Sequence, residues 1–439
     1  MPSLALTAAA DPNLDLVLKV LPALVVILLA AGICGRLALM VMQPRVLGEM
    51  VAGVLLGPTL FGQLFPEAQK AVFPAEVRPI LYVLSTIGLT LYMFLVGAGL
   101  DHSARVPGEE KRAGLLALSG IVPSMTLGVV AGLLLWNTLS RPEVSRLEFA
   151  FFVGGALSLT AFPMLARILY ERGLENTALG RLSLMAAAVD DALAWCLLAV
   201  LSAVHLGSGL DEAARTIVLT ALFAALMLVV VRRALRPLGA EFARTRELGP
   251  SAMYVVVLVA LTAGWLTDWI GVYSVFGGFL AGLAMPRDPA FRAALHGRMM
   301  SVVSTLLLPV FFTFSGLNTH LDGITGGTML LAFALIMLAG FSGKYFGCAL
   351  AMRGLRFSWR ESYAVGALMN ARGLMILIFI NIGLAQGMIT QELFAMLVLV
   401  AIITTGAALP LYKLALPDRI ERAEVVAPEP DVSIAGTVQ

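Results

Sequence analysis

The sequence predicts an all-α integral membrane protein with about 13 transmembrane helices. Three observations predict this class. Of the 439 residues, 59% are hydrophobic and only 13% are charged, which is half of the charged share usual for a soluble domain. Apolar runs of roughly 18 to 24 residues recur along nearly the whole chain, and each can cross a ~30 Å hydrocarbon core. Basic residues are concentrated in alternate connections between these runs.

The apolar runs define thirteen predicted spans, and we take the membrane domain to cover residues 15–413. Residues 1–14 are expected to form an N-terminal segment outside the membrane, and residues 414–439 a short cytoplasmic tail. The predicted spans are 15–34, 46–64, 79–98, 113–136, 149–169, 181–204, 216–231, 251–267, 271–285, 301–317, 328–350, 361–384 and 392–413.

The positive-inside rule gives this set of spans an orientation. With the N-terminus outside, the inner connections and the tail hold 22 of the 30 Lys and Arg residues, and the outer side holds 6. The remaining two, Lys344 and Arg372, lie within spans. The sequence therefore predicts a multi-pass protein of the cytoplasmic membrane, with the lipid bilayer as its solvent and its C-terminus inside.

Composition also argues against several classes of function. A net charge of +2 gives no electrostatic footprint for nucleic acid. The three cysteines stand singly in apolar runs, without the spacing of a disulfide framework or a metal site. No glycine-rich nucleotide-binding fingerprint occurs in a strand–helix setting. We therefore expect no cofactor and no enzymatic activity.

Four ionisable residues lie well inside the predicted spans: Asp190, Asp191, Lys344 and Arg372. Charged groups at membrane depth are costly and are candidate functional residues for that reason. Arginine stays charged, so Arg372 is expected to organise carbonyl groups or repel cations rather than exchange protons. Lysine loses its proton more readily in a medium of low dielectric. Lys344 is therefore either a structural partner of the aspartates or itself a carrier of transported protons.

Asp190 and Asp191 are adjacent on one predicted helix, where neighbouring side chains point about 100° apart. They cannot share one face, so one can meet a partner helix while the other faces a cavity. Burial and mutual repulsion both favour a protonated carboxyl group. A carboxylate can hold a proton or an alkali cation, but poorly both at once, so the pair suits proton–cation exchange. The structural alternative is a buried ion pair that holds two helices together.

Two spans carry residues that interrupt a helix. The fifth span contains Ser158, Thr160 and Pro163, and the proline should leave free carbonyl groups near Thr160. The twelfth contains Asn370 and Arg372 beside glycines. Irregular backbone at membrane depth is tolerated where protein buries it or water reaches it, and paired interruptions mark the midplane site of many transporters. A proline kink and a glycine packing notch would be the simpler explanation of each alone.

These residues resemble the monovalent cation:proton antiporter family 2, in the branch that contains plant cation/proton exchangers and their bacterial relatives. The resemblance covers about residues 40–415. It is carried, in family order, by PRVLGEMVAGVLLGP (44–58), SLTAFPMLARI (158–168), AAAVDDALAW (186–195), LPVFFTFSG (308–316), MNARGLM (369–375) and NIGL (381–384).

The resemblance implies two inverted repeats with two crossed discontinuous helices. It further implies a core domain that moves against a dimerisation domain by alternating access, and hence a homodimer. Asp191 matches the ion-binding carboxylate of the family and Asp190 its variable neighbour. Lys344 matches the basic residue that can pair with this neighbour.

Two positions depart from the family pattern. Many members of this branch have asparagine at the position of Asp190, and the double aspartate resembles the electrogenic sodium/proton exchangers. Relatives often carry glutamate near the second interruption, where this chain has Ile376. A mechanism that needs this glutamate does not apply here. The large nucleotide-binding domain of the glutathione-gated potassium efflux relatives is not found either, so we expect no such gating.

The predicted function is exchange of Na⁺ or K⁺ for H⁺, with Asp191 and Thr160 binding the cation and Asp190 and Lys344 taking part in proton exchange. A sodium-coupled organic-anion symporter on a similar scaffold and a non-transporting membrane sensor are the alternatives. An intramembrane aspartyl protease also needs two carboxylates. Its aspartates come from separate helices, whereas Asp190 and Asp191 adjoin on one.

Overall fold

The computed structural model describes residues 12–99, 108–172, 174, 177–205, 209–321, 323–324 and 326–417. Regular structure in these ranges is helical throughout, so the all-α class is confirmed. Most of the two terminal segments, 1–14 and 414–439, lies outside the described residues, as does the segment 100–107. Their predicted placement relative to the membrane stays a prediction.

Each of the thirteen predicted spans has a helical counterpart, and short helices fill several connections. The helices in chain order are α1 (Pro12–Met40), α2 (Arg45–Leu56), α3 (Phe61–Leu64), α4 (Pro66–Val72), α5 (Val77–Gly99), α6 (Glu109–Leu139), α7 (Arg146–Ser158), α8 (Phe162–Arg172), α9 (Ala178–His205), α10 (Gly209–Ala225), α11 (Arg232–Ala234), α12 (Arg236–Thr245), α13 (Pro250–Ile270), α14 (Ser274–Leu283), α15 (Pro289–Val302), α16 (Leu308–Leu317), α17 (Gly327–Gly354), α18 (Trp359–Met369), α19 (Leu374–Ala385) and α20 (Gln391–Ala415).

Several of these helices, alone or joined end to end, match the membrane in length. Within the described ranges, nine helical segments of 20 to 32 residues are long and apolar enough to span a bilayer. Two of them are longer than predicted because π-helical turns, Leu226–Val231 and Val303–Leu307, join α10 to α11 and α15 to α16. Helix α9, which carries both aspartates, has 28 residues and also exceeds the length needed for crossing.

The predicted span 271–285 corresponds to a short helix. Its helix, α14, has ten residues and is therefore about 15 Å long, half the thickness of the hydrocarbon core. The turn that precedes it, with Gly271 at φ 98°, and the residues that follow it are apolar, so hydropathy continues beyond the ends of the helix. Helix α14 packs closely on α5 because Gly278 and Gly282 let the backbones of the two helices approach.

The fifth and twelfth spans are discontinuous, as predicted. Residues 159–161 separate α7 from α8 and form the first break, and residues 370–373 separate α18 from α19 and form the second break. The two breaks cross in direct contact. The Ala161 amide donates to the Ala371 carbonyl at 3.0 Å, and the Thr160 hydroxyl donates to the Met369 carbonyl at 3.1 Å.

Helix α17 lies close to the first break because glycines face its neighbours. A Cβ atom on Gly343 would come within 2.6 Å of Ser124 Cα on α6, and one on Gly340 within 2.9 Å of a Leu157 methyl group on α7. The next residue after Gly343 is Lys344. Close packing of α17 on α6 and α7 therefore brings a lysine to the end of α7.

Contacts between connections join segments that the charge pattern assigns to the same side. On the predicted outer side, Arg141 donates to the Ile389 carbonyl at 3.0 Å, and Thr59 donates to the Thr319 carbonyl at 3.0 Å. On the predicted inner side, Arg181 pairs with Glu109 at 3.2 Å. These contacts agree with the predicted assignment of successive connections to alternate sides of the membrane. Which side faces the cytoplasm stays a prediction.

Candidate functional site

Asp190 and Lys344 form a buried ion pair between α9 and α17. The distance from Lys344 Nζ to Asp190 Oδ2 is 2.6 Å, and at most 1% of either side chain is exposed. Lys344 Nζ also donates to the carbonyl of Ser158, the last residue of α7. The other carboxylate oxygen of Asp190 has no hydrogen-bond partner among the residues that the structure describes. The lysine therefore joins the aspartate helix to the first break.

The C-terminal end of α7 stabilises the positive charge of Lys344. The last carbonyl groups of a helix lack intrahelical donors and carry the negative end of its dipole. Lys344 binds one of them at Ser158, and the hydroxyl of Ser124 donates to the preceding one, at Leu157, at 2.6 Å. The hydroxyl of Ser158 itself turns back to the Gly155 carbonyl at 2.8 Å, so Ser158 takes part through its backbone.

Asp191 has different surroundings, although it adjoins Asp190 and is equally buried, with 3% of its surface exposed. The backbone amide of Phe162, the first residue of α8, interacts with its carboxyl group. Neither carboxyl oxygen has a hydrogen-bond partner of normal geometry among the described residues. The positive end of the α8 dipole favours negative charge at this position. A buried carboxylate with so few partners is costly, so this carboxyl group suits a bound proton or a bound cation.

The crossing of the two breaks supplies oxygen atoms near the start of α8. The hydroxyl of Thr160 donates its proton to Met369 and keeps lone pairs that could bind a cation. Pro163 is the second residue of α8, a position where a helix does not need the amide hydrogen that proline lacks. Thr160 precedes the first residue of α8 by two positions, and Asp191 interacts with the amide of that first residue, so both lie near the N-terminus of α8.

The second break carries its own polar side chains. Asn370 donates to the Gly366 carbonyl at 3.2 Å and to the Phe341 carbonyl at 3.4 Å. Arg372 is fully buried and donates through Nη2 to the Gly340 carbonyl, while its Nε and Nη1 atoms have no partner among the described residues. Arg372 thus contacts a carbonyl group directly and interacts with Asp190 through a longer-range Coulombic attraction.

The sequence did not point to Ser124, Gly340 or Thr405. Ser124 satisfies a carbonyl at the end of α7, Gly340 accepts from Arg372, and the Thr405 hydroxyl accepts the Arg372 amide hydrogen at 3.0 Å. Ser124 follows Pro123 in the middle of a span, which was a usable signal of a polar contact. A glycine in an apolar run gives no comparable signal, because packing glycines are common in membrane helices.

The donor atoms at the crossing are oxygen atoms. Across the described ranges, no group of three or more His, Cys, Asp or Glu side chains could hold a metal ion. The crossing instead presents one carboxyl group, a hydroxyl group and backbone carbonyl groups. Hard cations bind such oxygen ligands.

The chain matches the family described as "Sodium/hydrogen exchanger, transmembrane" over residues 23–411. The Na⁺/H⁺ antiporter NhaS4 of Synechocystis sp. is 38% identical over 395 residues, which cover 90% of this chain and 96% of the relative. Cation/H⁺ antiporter 19 of Arabidopsis thaliana is 36% identical over 85% of this chain. K⁺/H⁺ antiporter 1 of Saccharomyces cerevisiae is 30% identical over 86% of it. The aligned regions span only 46% and 44% of these two longer relatives.

A solved structure shares the fold. The sodium proton antiporter MjNhaP1 from Methanocaldococcus jannaschii superposes with a TM-score of 0.62, over 94% of this chain and 100% of that chain. Sequence identity between the two is 14%, so this likeness concerns the arrangement of helices alone.

Proposed function

The chain belongs to the sodium/hydrogen exchanger family, and we propose that it exchanges a monovalent cation for protons at Asp191. One observation supports this assignment above the others. Of two adjacent buried carboxyl groups, Asp190 is paired with Lys344, whereas both oxygens of Asp191 lack a hydrogen-bond partner of normal geometry within the described part of the chain. Asp191 is therefore the carboxyl group that can hold a proton in one step and a cation in another.

Competition for this one carboxyl group couples the two fluxes. In the proton-loaded state Asp191 is neutral, which removes the cost of an unpaired buried charge. In the cation-loaded state the carboxylate binds a dehydrated Na⁺ or K⁺, aided by the Thr160 hydroxyl and carbonyl groups of the crossing. The empty, ionised state is the costly one. The site therefore changes its access from one side to the other mainly when it is loaded, which is the condition for obligatory exchange.

The charge of the site determines the stoichiometry. While Asp190 and Lys344 stay ionised, replacing the proton on Asp191 by one cation leaves the net charge of the site unchanged, and exchange is one for one and electroneutral. If Lys344 also releases its proton when the cation binds, two protons are exchanged per cation and transport is electrogenic. The salt bridge at 2.6 Å is compatible with a structural role and with a proton-carrying role.

We extend the proposal to the surroundings of the protein. The charge pattern supports a cytoplasmic membrane location with the C-terminus inside. The family resemblance supports a homodimer that works by alternating access. The named relatives are antiporters of Na⁺, of K⁺ and of cations in general, so both ions are candidate substrates.

The test is cation-induced proton movement in everted vesicles from a strain without its own antiporters. Na⁺, K⁺ and Li⁺ are added in turn to vesicles with wild type, Asp191→Asn or Asp190→Asn. We expect the pH gradient to collapse with wild type, not with Asp191→Asn, and to a reduced extent with Asp190→Asn. Exchange that survives in Asp191→Asn would sink the assignment of the site. No response of wild type to any cation, with the protein present in the membrane, would favour the symporter or the sensor.

A further inference from the structure

Four aromatic side chains form a continuous ring stack across α17 and α18. Phe341 and Tyr345, one turn apart on α17, have ring centroids 5.3 Å apart and ring planes inclined by 15°. Tyr345 stacks on Tyr363 of α18 at 6.1 Å, and Tyr363 stacks on Trp359 at 5.4 Å. Trp359 is 46% exposed and Tyr363 is 37% exposed. The ring stack is therefore an apolar surface that the described residues leave partly open.

The ring stack extends from the second break to one end of the helical pair. At its first end, the Phe341 carbonyl accepts from Asn370 of the second break at 3.4 Å. At its other end, the guanidinium carbon of Arg353 lies 5.4 Å from the centroid of the Trp359 ring, which is a cation–π contact. The distance from Phe341 to Arg353 along α17 is about 18 Å. The ring stack thus runs from the depth of the crossing to a membrane surface, the inner one according to the charge pattern.

Three exposed arginines lie at this end of the ring stack. Arg353 is in the last turn of α17, Arg356 is in the connection between the helices, and Arg360 is in the first turn of α18. Arg353 donates to the Phe357 carbonyl at 3.0 Å, which leaves other N–H groups of its guanidinium group free to bind. None of the three forms a salt bridge within the part of the chain that the structure describes. Their guanidinium groups are therefore available to an anion.

The local backbone does not neutralise this positive charge. Arg360 is the second residue of α18, where the positive end of the helix dipole disfavours a cation. The acidic residue in the same stretch, Glu361, accepts from the Ser358 amide at 2.6 Å and completes the cap of α18. Arg356 has a φ of 72°, in the left-handed region that favours glycine. Positive charge is thus concentrated at the end of the ring stack, and the neighbouring carboxylate is already engaged.

We propose that the ends of α17 and α18 bind one anionic phospholipid, with its phosphate group at Arg353, Arg356 and Arg360 and an acyl chain along the ring stack. Guanidinium groups match phosphate oxygens through paired hydrogen bonds, and clustered basic residues at a membrane surface attract anionic lipids. Tryptophan and tyrosine side chains are typical of the headgroup level. A free phosphate would contact the arginines and leave the rings uncovered, so the arrangement fits a lipid better.

A lipid bound in this way joins two helices that carry parts of the functional site. Lys344 directly precedes Tyr345 of the ring stack, and α18 ends at the second break. The phosphate group contacts residues of both helices, so the bound lipid should stabilise α17 and α18 relative to each other. The lipid site itself does not depend on which ion the protein transports.

The first test compares two lipids with the same acyl chains and different headgroups. The full-length protein in detergent is titrated with phosphatidylglycerol, which is anionic, or with phosphatidylcholine, which has no net charge. Native mass spectrometry counts the bound lipid. We expect phosphatidylglycerol to bind about a hundredfold more tightly, because three arginines contact its phosphate group. Equal binding of the two lipids by wild type would overturn the proposal.

Matched triple variants separate this site from the general positive charge of the surface. In Arg353→Gln/Arg356→Gln/Arg360→Gln, the preference for phosphatidylglycerol should fall to less than about threefold. The control replaces three other exposed arginines assigned to the same side, and Arg246 among them also has a left-handed backbone: Arg233→Gln/Arg244→Gln/Arg246→Gln. The control should keep the wild-type preference. If the control loses as much preference as the first variant, the attraction is unspecific and the proposed site is wrong.

Two further comparisons test the acyl-chain contact and the source of the phosphate group. Tyr363→Ala interrupts the ring stack and should weaken the binding of both lipids about fivefold. Tyr254→Ala, at a tyrosine of α13 that is 78% exposed and outside the ring stack, should leave binding unchanged. Soluble glycerol phosphate at the same concentration should not displace phosphatidylglycerol. Displacement by glycerol phosphate, or unchanged binding in Tyr363→Ala, would reduce the site to one for a phosphate anion and overturn the lipid assignment.

Discussion

The two breaks in the membrane helices have the same backbone design and different chemistry. At the first break, the free groups are satisfied by side chains from other helices: Ser124 binds the Leu157 carbonyl, and Lys344 binds the Ser158 carbonyl. At the second break, the polar side chains belong to the break itself. Asn370 donates backwards to Gly366, and Arg372 reaches the Gly340 carbonyl.

This difference separates a site whose charge can change from one whose charge is fixed. Lysine and aspartate can exchange protons, and both meet at the first break, whereas arginine remains charged. The ammonium group of Lys344 is also in direct contact with a carboxylate, while Arg372 contacts a carbonyl group. The first break can therefore take part in proton exchange. The second break can supply a constant positive charge and hold the crossing in register.

The largest expected effect on stability comes from removing the positive charge of Lys344 at the first break. Lys344→Met leaves Asp190 as an unpaired buried carboxylate, which should lower the stability by about 3–5 kcal/mol. The double variant Asp190→Asn/Lys344→Met removes both charges and should recover most of this loss. Thermal unfolding in detergent micelles measures both effects. The stability of the double variant also tells whether the protein folds stably without the pair.

Arg372→Met is the matched variant at the second break. It should be destabilising as well, because the Gly340 carbonyl loses its donor, but Asp190→Asn should not rescue it. Asp190 contacts Lys344 directly and acts on Arg372 only through its electrostatic field. Equal rescue of both variants by Asp190→Asn would mean that the two cations share one counter-charge, and the contrast between the breaks would disappear.

A smaller effect is expected where the two breaks touch. Thr160→Val removes the hydroxyl that donates to Met369 and leaves a buried carbonyl unsatisfied, at a cost of about 1–3 kcal/mol. If Thr160 also binds the cation, the half-saturating cation concentration should rise in Thr160→Val and stay near wild type in Thr160→Ser. Vesicle assays over a range of Na⁺ and K⁺ concentrations measure this. A loss of stability without a change in this concentration would leave Thr160 a structural residue only.

The sequence predicted the parts of this arrangement that depend on composition and on single residues. Mid-span charges indicated Asp190, Asp191, Lys344 and Arg372, and the segments around Thr160 and Asn370 indicated both interruptions. The family resemblance indicated Asp190 as the partner of Lys344. The residues alone left this open, because it depends on how α9 is rotated against α7, α8 and α17. Nor did the sequence determine the exact ends of α14, since apolar residues continue beyond both ends of the helix. The sequence could not indicate Gly340 because this residue accepts the hydrogen bond from Arg372 through its backbone carbonyl group.

The smallest effect is expected at the residue that marked the first break in the sequence. Pro163 was expected to interrupt the fifth span, yet it is the second residue of α8, where its missing amide hydrogen costs nothing. The break is maintained by Lys344, Ser124 and the contact between Ala161 and Ala371. Pro163→Ala should therefore change stability by less than about 1 kcal/mol, through greater freedom of the unfolded chain. Unfolding and exchange rates near wild type would support this, whereas lost exchange in a stable Pro163→Ala protein would show that proline itself prevents α7 and α8 from joining.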